Sequence, residues 1–321
     1  MDKVIFMKSI SDDLKEVDKI IREQLNSEVA LVRAIGDYII NSGGKRIRPS
    51  MVLVIALSLG YKGNKHHLLA AIIEFIHTAT LLHDDVVDES ELRRGLSSAN
   101  SIFGNAASVL VGDYLYSKSF EMMVSTDSLR IMDILSKTTT VIAEGEVLQL
   151  MNIRDPDASF ESYMQVVRFK TAKLFEASAH VGAIIANADL EQENSAIAYG
   201  RHIGTSFQLI DDILDYFGDV DTLGKNIGDD LREGKLTLPL IRAMAVCSEK
   251  QRNILRDAVL IGDANLVDII DIVKDTDALQ YTSKLAECEA KEAQKSILNY
   301  PCSSYKEILM ELPLMFLNRI F

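Results

Sequence analysis

Residues 81–88 read Leu-Leu-His-Asp-Asp-Val-Val-Asp, and residues 208–215 read Gln-Leu-Ile-Asp-Asp-Ile-Leu-Asp. Both octapeptides contain the pattern Asp-Asp-x-x-Asp inside an apolar stretch. Side chains four residues apart on a helix lie on one face, about 5–6 Å from each other. Asp84 therefore lies beside Asp88, and Asp211 lies beside Asp215 in the second octapeptide. Each helix is predicted to carry a pair of like charges on one face.

Such pairs destabilise a helix and raise carboxyl pKa values unless a nearby cation neutralises them. A solvated acidic face is the alternative, but apolar residues on both sides of each octapeptide disfavour it. Helices that face each other in a bundle can build metal sites in its core. Carboxylate oxygens favour Mg²⁺, which is usually held by one or two carboxylates together with substrate phosphates. The doubled acidic pattern thus indicates diphosphate chemistry with a divalent metal.

The rest of the chain has helical periodicity, and strand-type alternation is rare. With 321 residues, 48% of them hydrophobic, the chain can bury a large core. Because no linker or short repeat divides it, we predict an all-α fold in a single domain, residues 1–321. The predicted helices span residues 9–40, 46–59, 65–89, 101–124, 128–152, 159–186, 192–217, 233–247, 249–260, 263–275, 278–298 and 303–320.

The composition narrows the class of function. A net charge of −13 argues against a nucleic-acid binder, which would present a basic surface. The longest apolar runs, such as residues 51–59, fall far short of the roughly 20 residues that cross a bilayer. The acidic residues close to Met1 are unlike a signal peptide. The three cysteines have no paired or metal-type spacing. We expect a soluble cytoplasmic protein.

A basic segment, residues 43–49, reads Gly-Gly-Lys-Arg-Ile-Arg-Pro. Two glycines followed by cations make a flexible helix entry suited to an anion. The fork of Arg48 can bind two phosphate oxygens, whereas Lys45 would act as a point charge. A glycine helix stop beside surface cations is the alternative. Arg93 and Arg94 follow the first octapeptide, where cations also complement a helix dipole, but their place beside a metal-site candidate favours a binding role.

Glu74 and His77 form Glu-x-x-His, a pattern found in di-iron bundles. Those sites need a second copy, which this sequence lacks. His77 lies seven residues before Asp84, about two helical turns, and so shares its face. His77 is a ligand candidate, with a hydrogen-bonded core histidine as the alternative.

Together, these residues resemble the trans-isoprenyl (polyprenyl) diphosphate synthase family. The resemblance spans about residues 25–245, and residues 76–83 and 143–147 look like the bacterial octaprenyl diphosphate synthases of that family. The motifs in family order are the basic segment, the first octapeptide, Arg93-Arg94, Lys170-Thr171, Gln208 with the second octapeptide, and Gly224-Lys225 before Asp229-Asp230.

The resemblance implies a bundle of long, mostly antiparallel helices around a deep central cavity, usually in a homodimer. It implies two or three Mg²⁺ ions, with Mn²⁺ as a substitute, that bridge an allylic diphosphate. The implied metal ligands are Asp84, Asp88 and Asp211, supported by the catalytic residues Asp85, Asp212, Asp215 and Lys170. The residues implied to bind the allylic diphosphate are Arg93, Lys170, Thr171, Gln208, Lys225 and Lys235. Those implied for isopentenyl diphosphate are Lys45, Arg48, His77 and Arg94.

Product length is expected to follow from residues before the first octapeptide. Ala79 and Thr80 are small, whereas in this family bulky aromatics there stop growth early. The prenyl tail is therefore expected to pass towards Ile76, with Phe120 and Met123 as a lower floor. The expected product is octaprenyl diphosphate for a quinone side chain, made from farnesyl diphosphate as primer.

Three other functions compete with this prediction. A cyclising terpene synthase usually carries an Asn/Ser/Glu metal motif in place of the second acidic one, and the regulatory subunit of a heteromeric synthase typically loses one motif. A metal-binding scaffold without activity explains the aspartates but leaves the three sets of cations without a purpose. Peripheral membrane contact during product release stays open.

Overall fold

The computed structural model describes residues 8–217, 228–262 and 265–318, which are mostly α-helical. A short hairpin follows the fourth helix, and its two antiparallel strands, β1 (Leu92–Arg93) and β2 (Leu96–Ser97), have two residues each. The helices of the first half are α1 (Ser11–Gln24), α2 (Ala30–Asn41), α3 (Ile47–Ser58), α4 (Lys65–Val87), α5 (Ala99–Phe103), α6 (Asn105–Val124) and α7 (Leu129–Asn152).

In the second half, α8 (Phe160–Val166) continues through a π-helical turn (Val167–Ala172) into α9 (Lys173–Ile185). The helices that follow are α10 (Leu190–Phe217), α11 (Asp229–Arg232), α12 (Leu238–Val246), α13 (Glu249–Ile261), α14 (Leu266–Asp275), α15 (Ala278–Ser296) and α16 (Ser304–Leu317). The predicted all-α fold is confirmed, and the single domain stays a prediction.

Two predicted helices are interrupted in the structure, and a third begins later than predicted. Residues 9–40 form two helices, because a side chain in the turn between them hydrogen-bonds to the local backbone in place of a helical bond. Val29 N donates to Ser27 Oγ at 3.2 Å. The predicted helix 101–124 is interrupted at Gly104, where α5 ends and α6 begins. The predicted helix 233–247 begins only at Leu238, in α12, whose first turn contains a proline.

The core explains where the two octapeptides lie. Helix α4 is buried around most of its circumference and packs against α3 and α6. Helix α10 packs against α9 and α15 in the same way. A helix that is apolar on all sides must be central. Both acidic octapeptides therefore come at the C-terminal ends of central helices. None of the described helices is both long and apolar enough to span a membrane.

Candidate active site

Both octapeptides border one cavity of about 840 Å³. Its carboxylates are Glu74, Asp84, Asp88, Glu146, Asp211, Asp212, Asp215 and Asp230. The other predicted residues that line it are Lys45, Arg48, His77, Thr80, Arg93, Arg94, Lys170, Thr171, Gln208 and Lys235. Asp85 does not line the cavity, and Lys225 falls outside the described residues. The structure thus brings the two acidic motifs and the separate sets of cations into one space.

Two partly buried lysines contact the first acidic motif. Lys170 Nζ lies 2.5 Å from Glu146 Oε2 and 3.6 Å from Asp84 Oδ1. Lys235 Nζ lies 2.7 Å from Asp88 Oδ2 and 2.5 Å from Glu233 Oε2. Burial alone would lower the pKa of both lysines, but the surrounding carboxylates raise it. Both lysines therefore stay charged beside the aspartates.

Asp85 differs from its neighbours in the octapeptide. It is 3% exposed, and its Oδ1 accepts a hydrogen bond from Arg93 Nε at 2.8 Å. Asn100 Nδ2 donates to the backbone oxygen of Asp85 at 3.1 Å. Because Arg93 lies in strand β1, the hairpin and the end of α4 are tied together at this point. Asp85 faces Arg93 rather than the cavity.

The second motif is connected to the π-helical turn by a chain of hydrogen bonds. Thr171 Oγ1 donates to Gln208 Oε1 at 2.8 Å, and Gln208 Nε2 donates to Asp212 Oδ1 at 2.8 Å. The hydroxyl of Tyr163 donates to the other oxygen of Asp212. Burial and the charge of Asp230 raise the pKa of Asp212 to about 7. These bonds fix the side chains of three predicted residues relative to one another.

The basic segment forms the other charged part of the cavity. Arg48 Nη1 lies 3.2 Å from His77 Nε2, and the Arg48 guanidinium stacks 4.6 Å from the centroid of the Phe175 ring. Burial lowers the pKa of Arg48 to about 10 and, with the nearby arginines, holds the pKa of His77 well below its usual value. Arg48 Nε is buried and has no hydrogen-bond partner among the described residues. This group of donors suits an anion.

Sequence reasoning assigned no role to Glu146, although the stretch that contains it carried the family resemblance. Helix α7 approaches the π-helical turn closely at Gly145, where an added Cβ would lie 2.7 Å from the backbone nitrogen of Lys170. This approach brings Glu146 to Lys170. Tyr163 and Glu233 were missed too, because their distance in sequence from the acidic motifs gave no signal. Asp230 belongs to the Asp229-Asp230 motif but was assigned no role.

The residues predicted to set product length lie in three different environments. Thr80 lines the cavity. Ala79, Ile76 and Met123 are fully buried in the adjoining core and do not line it. Phe120 is 36% exposed on α6. The cavity of this structure therefore does not extend from Thr80 past Ala79 to the predicted floor.

The carboxylates of the cavity fit a divalent cation. Burial and the charge of Asp84 raise the pKa of Glu146 to about 7, and the pKa of Asp212 is raised as well. Part of each rise comes from repulsion by a neighbouring carboxylate, Asp84 for Glu146 and Asp230 for Asp212, which a bound cation would relieve. A donor set made only of oxygen atoms suits a hard cation such as Mg²⁺ or Ca²⁺.

The comparisons with known proteins agree with this site. The family model of polyprenyl synthetase matches residues 29–275. The octaprenyl diphosphate synthase of Escherichia coli (strain K12) is 49% identical over 304 residues, which cover 94% of each chain. The octaprenyl diphosphate synthase of Haemophilus influenzae is 45% identical over 96% of this chain and 94% of the relative.

Solved structures are similar over the whole length. The structure of a polyprenyl synthase from Caulobacter crescentus CB15, in complex with calcium and isoprenyl diphosphate, has a TM-score of 0.96 and 40% identity over 99% of this chain and 98% of that chain. A decaprenyl diphosphate synthase from Rhodobacter capsulatus has a TM-score of 0.94 and 39% identity over 100% of both chains. This similarity extends beyond residue 245, where the sequence motifs end. The chain belongs to the polyprenyl synthetase family and is a long-chain trans-polyprenyl diphosphate synthase.

Proposed function

We propose that this synthase makes octaprenyl diphosphate for a quinone side chain, by adding isopentenyl diphosphate units to farnesyl diphosphate with Mg²⁺ as cofactor. The identities of 49% and 45% to two octaprenyl diphosphate synthases support this product length. A nonaprenyl diphosphate synthase from Rhodobacter capsulatus, 44% identical, represents the neighbouring product length. These identities are too similar to separate the two product lengths. The length would then depend on the few residues at the end of the cavity.

The observation that carries the proposal is the presence of two oppositely charged groups in one cavity. The acidic group, with Asp84, Asp88 and Asp211, would bind one diphosphate through Mg²⁺. The basic group, with Arg48 and Arg94, would bind a second diphosphate directly. A condensation of two diphosphate esters needs both.

The acidic group would assist departure of the allylic diphosphate. Diphosphate leaves slowly until the charge that develops on it is stabilised. Mg²⁺ held by the aspartates would act as a Lewis acid and supply most of that stabilisation. Lys170 and Lys235 would donate to the same phosphate oxygens, and Thr171 would be oriented by its hydrogen bond to Gln208. Asp85 would act indirectly by holding Arg93.

The basic group would position isopentenyl diphosphate for attack. Arg48 would donate to a phosphate oxygen through its buried Nε, and His77 would take part as a neutral donor because its pKa is low. The double bond of this substrate then attacks the allylic carbon, a carbon–carbon bond forms, and the released diphosphate accepts the proton that is lost. Apolar walls would exclude water from the allylic cation.

The enzyme is further proposed to be a cytoplasmic homodimer. Large apolar side chains are exposed along α6 and α7, where a second copy could cover them. They are Val109, Leu110, Phe120, Val124, Leu129, Val147, Leu150 and Met151. Leu110→Glu should yield a monomer in analytical ultracentrifugation. A variant that stays dimeric but no longer binds vesicles would instead indicate that this face makes peripheral membrane contact.

The direct test is incubation of the enzyme with farnesyl diphosphate, isopentenyl diphosphate and Mg²⁺, followed by chromatography of the dephosphorylated products. The expected result is a ladder that ends at eight isoprene units. A ladder that ends at nine or ten units would overturn the octaprenyl assignment and leave the reaction type intact.

A further inference from the structure

A second cluster of possible metal ligands lies far from the active-site cavity. Asp13 of α1 meets His66 and His67 in the first turn of α4. Among the described residues, these are the three His, Cys, Asp or Glu side chains whose ligand atoms all lie within 4.8 Å of one another. The first acidic motif begins 18 residues later on α4, about 27 Å away at 1.5 Å per residue. The cluster is therefore separate from the catalytic aspartates.

Both histidines contact the same carboxylate oxygen. His67 Nε2 lies 2.8 Å and His66 Nε2 lies 3.3 Å from Asp13 Oδ1. Around a tetrahedral Zn²⁺ with bonds of about 2.0–2.1 Å, neighbouring ligand atoms are about 3.3 Å apart. The His66 spacing matches this value, the His67 spacing is shorter, and all three ligand atoms lie within 4.8 Å of one another, so small side-chain rotations would admit an ion.

The two imidazole rings are packed together at the start of α4. His66 is 3% exposed, and its ring lies 4.0 Å from the ring of His67, centroid to centroid. The nearest cation in sequence, Lys65, is directed elsewhere, with Nζ donating to the carbonyl of Thr126 at 3.3 Å.

We propose that Asp13, His66 and His67 form a binding site for a divalent transition-metal ion of the Zn²⁺ type, with water as the fourth ligand. Two imidazoles and one carboxylate are a donor set that Zn²⁺ prefers, whereas Mg²⁺ prefers oxygen atoms alone. The ion would join α1 to α4. It would stabilise the contact between the N-terminal helix and the central helix without touching substrate.

The test is a Zn²⁺ titration of the full-length, untagged enzyme in the presence of saturating Mg²⁺, with a competing chromophoric chelator as the readout. His67→Asn and Asp13→Asn each remove one ligand. The matched control is His202→Asn, because His202 Nδ1 contacts Glu289 at 2.6 Å without a second imidazole beside it. Wild type and the control should each bind one Zn²⁺ with the same affinity. Both ligand variants should bind it at least tenfold more weakly.

Thermal unfolding gives an independent readout. Zn²⁺ should raise the Tm of wild type and of His202→Asn but not that of the ligand variants, because an ion that binds only the folded state stabilises it. If either ligand variant is poorly folded, the other and the Co²⁺ absorption spectrum of wild type decide the question. Equal Zn²⁺ affinity in wild type and both ligand variants, or a Co²⁺ spectrum with six oxygen ligands, would overturn the proposal.

Discussion

Arg46 forms an ion pair with Glu74 in the wall of the active-site cavity, where their side chains are only 13% and 6% exposed. Arg46 has a left-handed backbone with φ of 47° and precedes α3, and it also contacts Asp18 of α1 at 3.3 Å. The charge of Glu74 opposes the effect of burial on the pKa values of Arg48 and Arg94. Glu74, which the Glu-x-x-His pattern offered as a di-iron ligand, thus anchors the basic segment through Arg46.

Glu74→Gln should destabilise the protein, because Arg46 would lose its buried partner and keep only the more exposed Asp18. The loss should stay below the roughly 3–5 kcal/mol that it costs to leave a buried charge with no partner at all. Denaturant unfolding measures this loss, and steady-state kinetics should show a larger rise in KM for isopentenyl diphosphate than for the allylic primer. Asp277→Asn, which breaks the exposed pair with Arg242, is the control and should change stability much less. Equal effects of the two variants would contradict the anchoring role.

Gly44→Ala should weaken binding of isopentenyl diphosphate. An added Cβ would lie 2.6 Å from Arg94 Nη1, and Gly44 has a φ of +148°. Gly43→Ala is the matched control, because Gly43 also has a positive φ, +77°, but nothing lies within 4 Å of its added Cβ. Both variants should lose about 1–2 kcal/mol of stability from backbone strain. Only Gly44→Ala should raise KM for isopentenyl diphosphate, and an equal KM in both would show that Arg94 was not displaced.

Thr80→Phe should shorten the product, because Thr80 lines the cavity. Ala79→Tyr should also shorten it, but with a loss of about 1–3 kcal/mol in stability, because Ala79 is fully buried and the added ring overpacks the core. Chromatography of the product ladder and urea unfolding separate the two effects. Thr80→Ser should keep the wild-type ladder. An unchanged ladder in Thr80→Phe would refute this position of the growing chain.

The stability of the protein should fall below pH 6.5 partly because of His77. Its folded pKa lies well below the ordinary value of 6.5, first because of burial and then because of Arg48. Between these two pKa values the unfolded state binds a proton that the folded state does not. The free energy of unfolding therefore decreases as the pH is lowered, by up to about 1.4 kcal/mol per pH unit. His77→Asn should reduce this slope in urea unfolding measured from pH 7 to pH 5. The same slope in both proteins would contradict a neutral His77.

Binding of Mg²⁺ with diphosphate should release protons near pH 7. Burial and the charge of Asp84 raise the pKa of Glu146 to about 7, and a cation at Asp84 would lower it again. Calorimetry in buffers of different ionisation enthalpy measures the number of protons. Glu146→Gln should reduce the release, and wild type at pH 8.5 should show little, because the carboxyl is already ionised there. Equal release in wild type and Glu146→Gln at pH 7 would mean that another group supplies the proton.

Much of this site could be predicted because its residues occur in short motifs on long helices. The spacing of Asp84 and Asp88 fixes their common face once α4 is helical, and the same holds for the second octapeptide. Asp85 follows Asp84 by about 100° around the helix, so it had to face differently. The partner of Asp85 could not be read from the sequence, because it is the hairpin that brings Arg93 to Asp85.

The features that were missed depend on particular side-chain contacts, some between helices and some within a turn. Glu146 contacts Lys170 because Gly145 lets two helices approach closely, and Glu233 contacts Lys235 across a turn. The break between α1 and α2 depends on local bonds of Ser27 that compete with the helix. Periodicity records which face of a helix is apolar, and it contains no information on such contacts.

The π-helical turn between α8 and α9 has a consequence for insertions and deletions in this enzyme. Each turn of π-helix holds about one more residue than a turn of α-helix, so such a segment behaves as a one-residue insertion in an otherwise regular rod. Deletion of one residue there would restore regular α-helix while the helix on either side keeps its orientation, because the wider turn absorbs the extra residue. The residues of the turn itself would shift instead, and either Lys170 would leave Glu146 or Thr171 would leave Gln208. The more regular helix would therefore belong to the poorer enzyme.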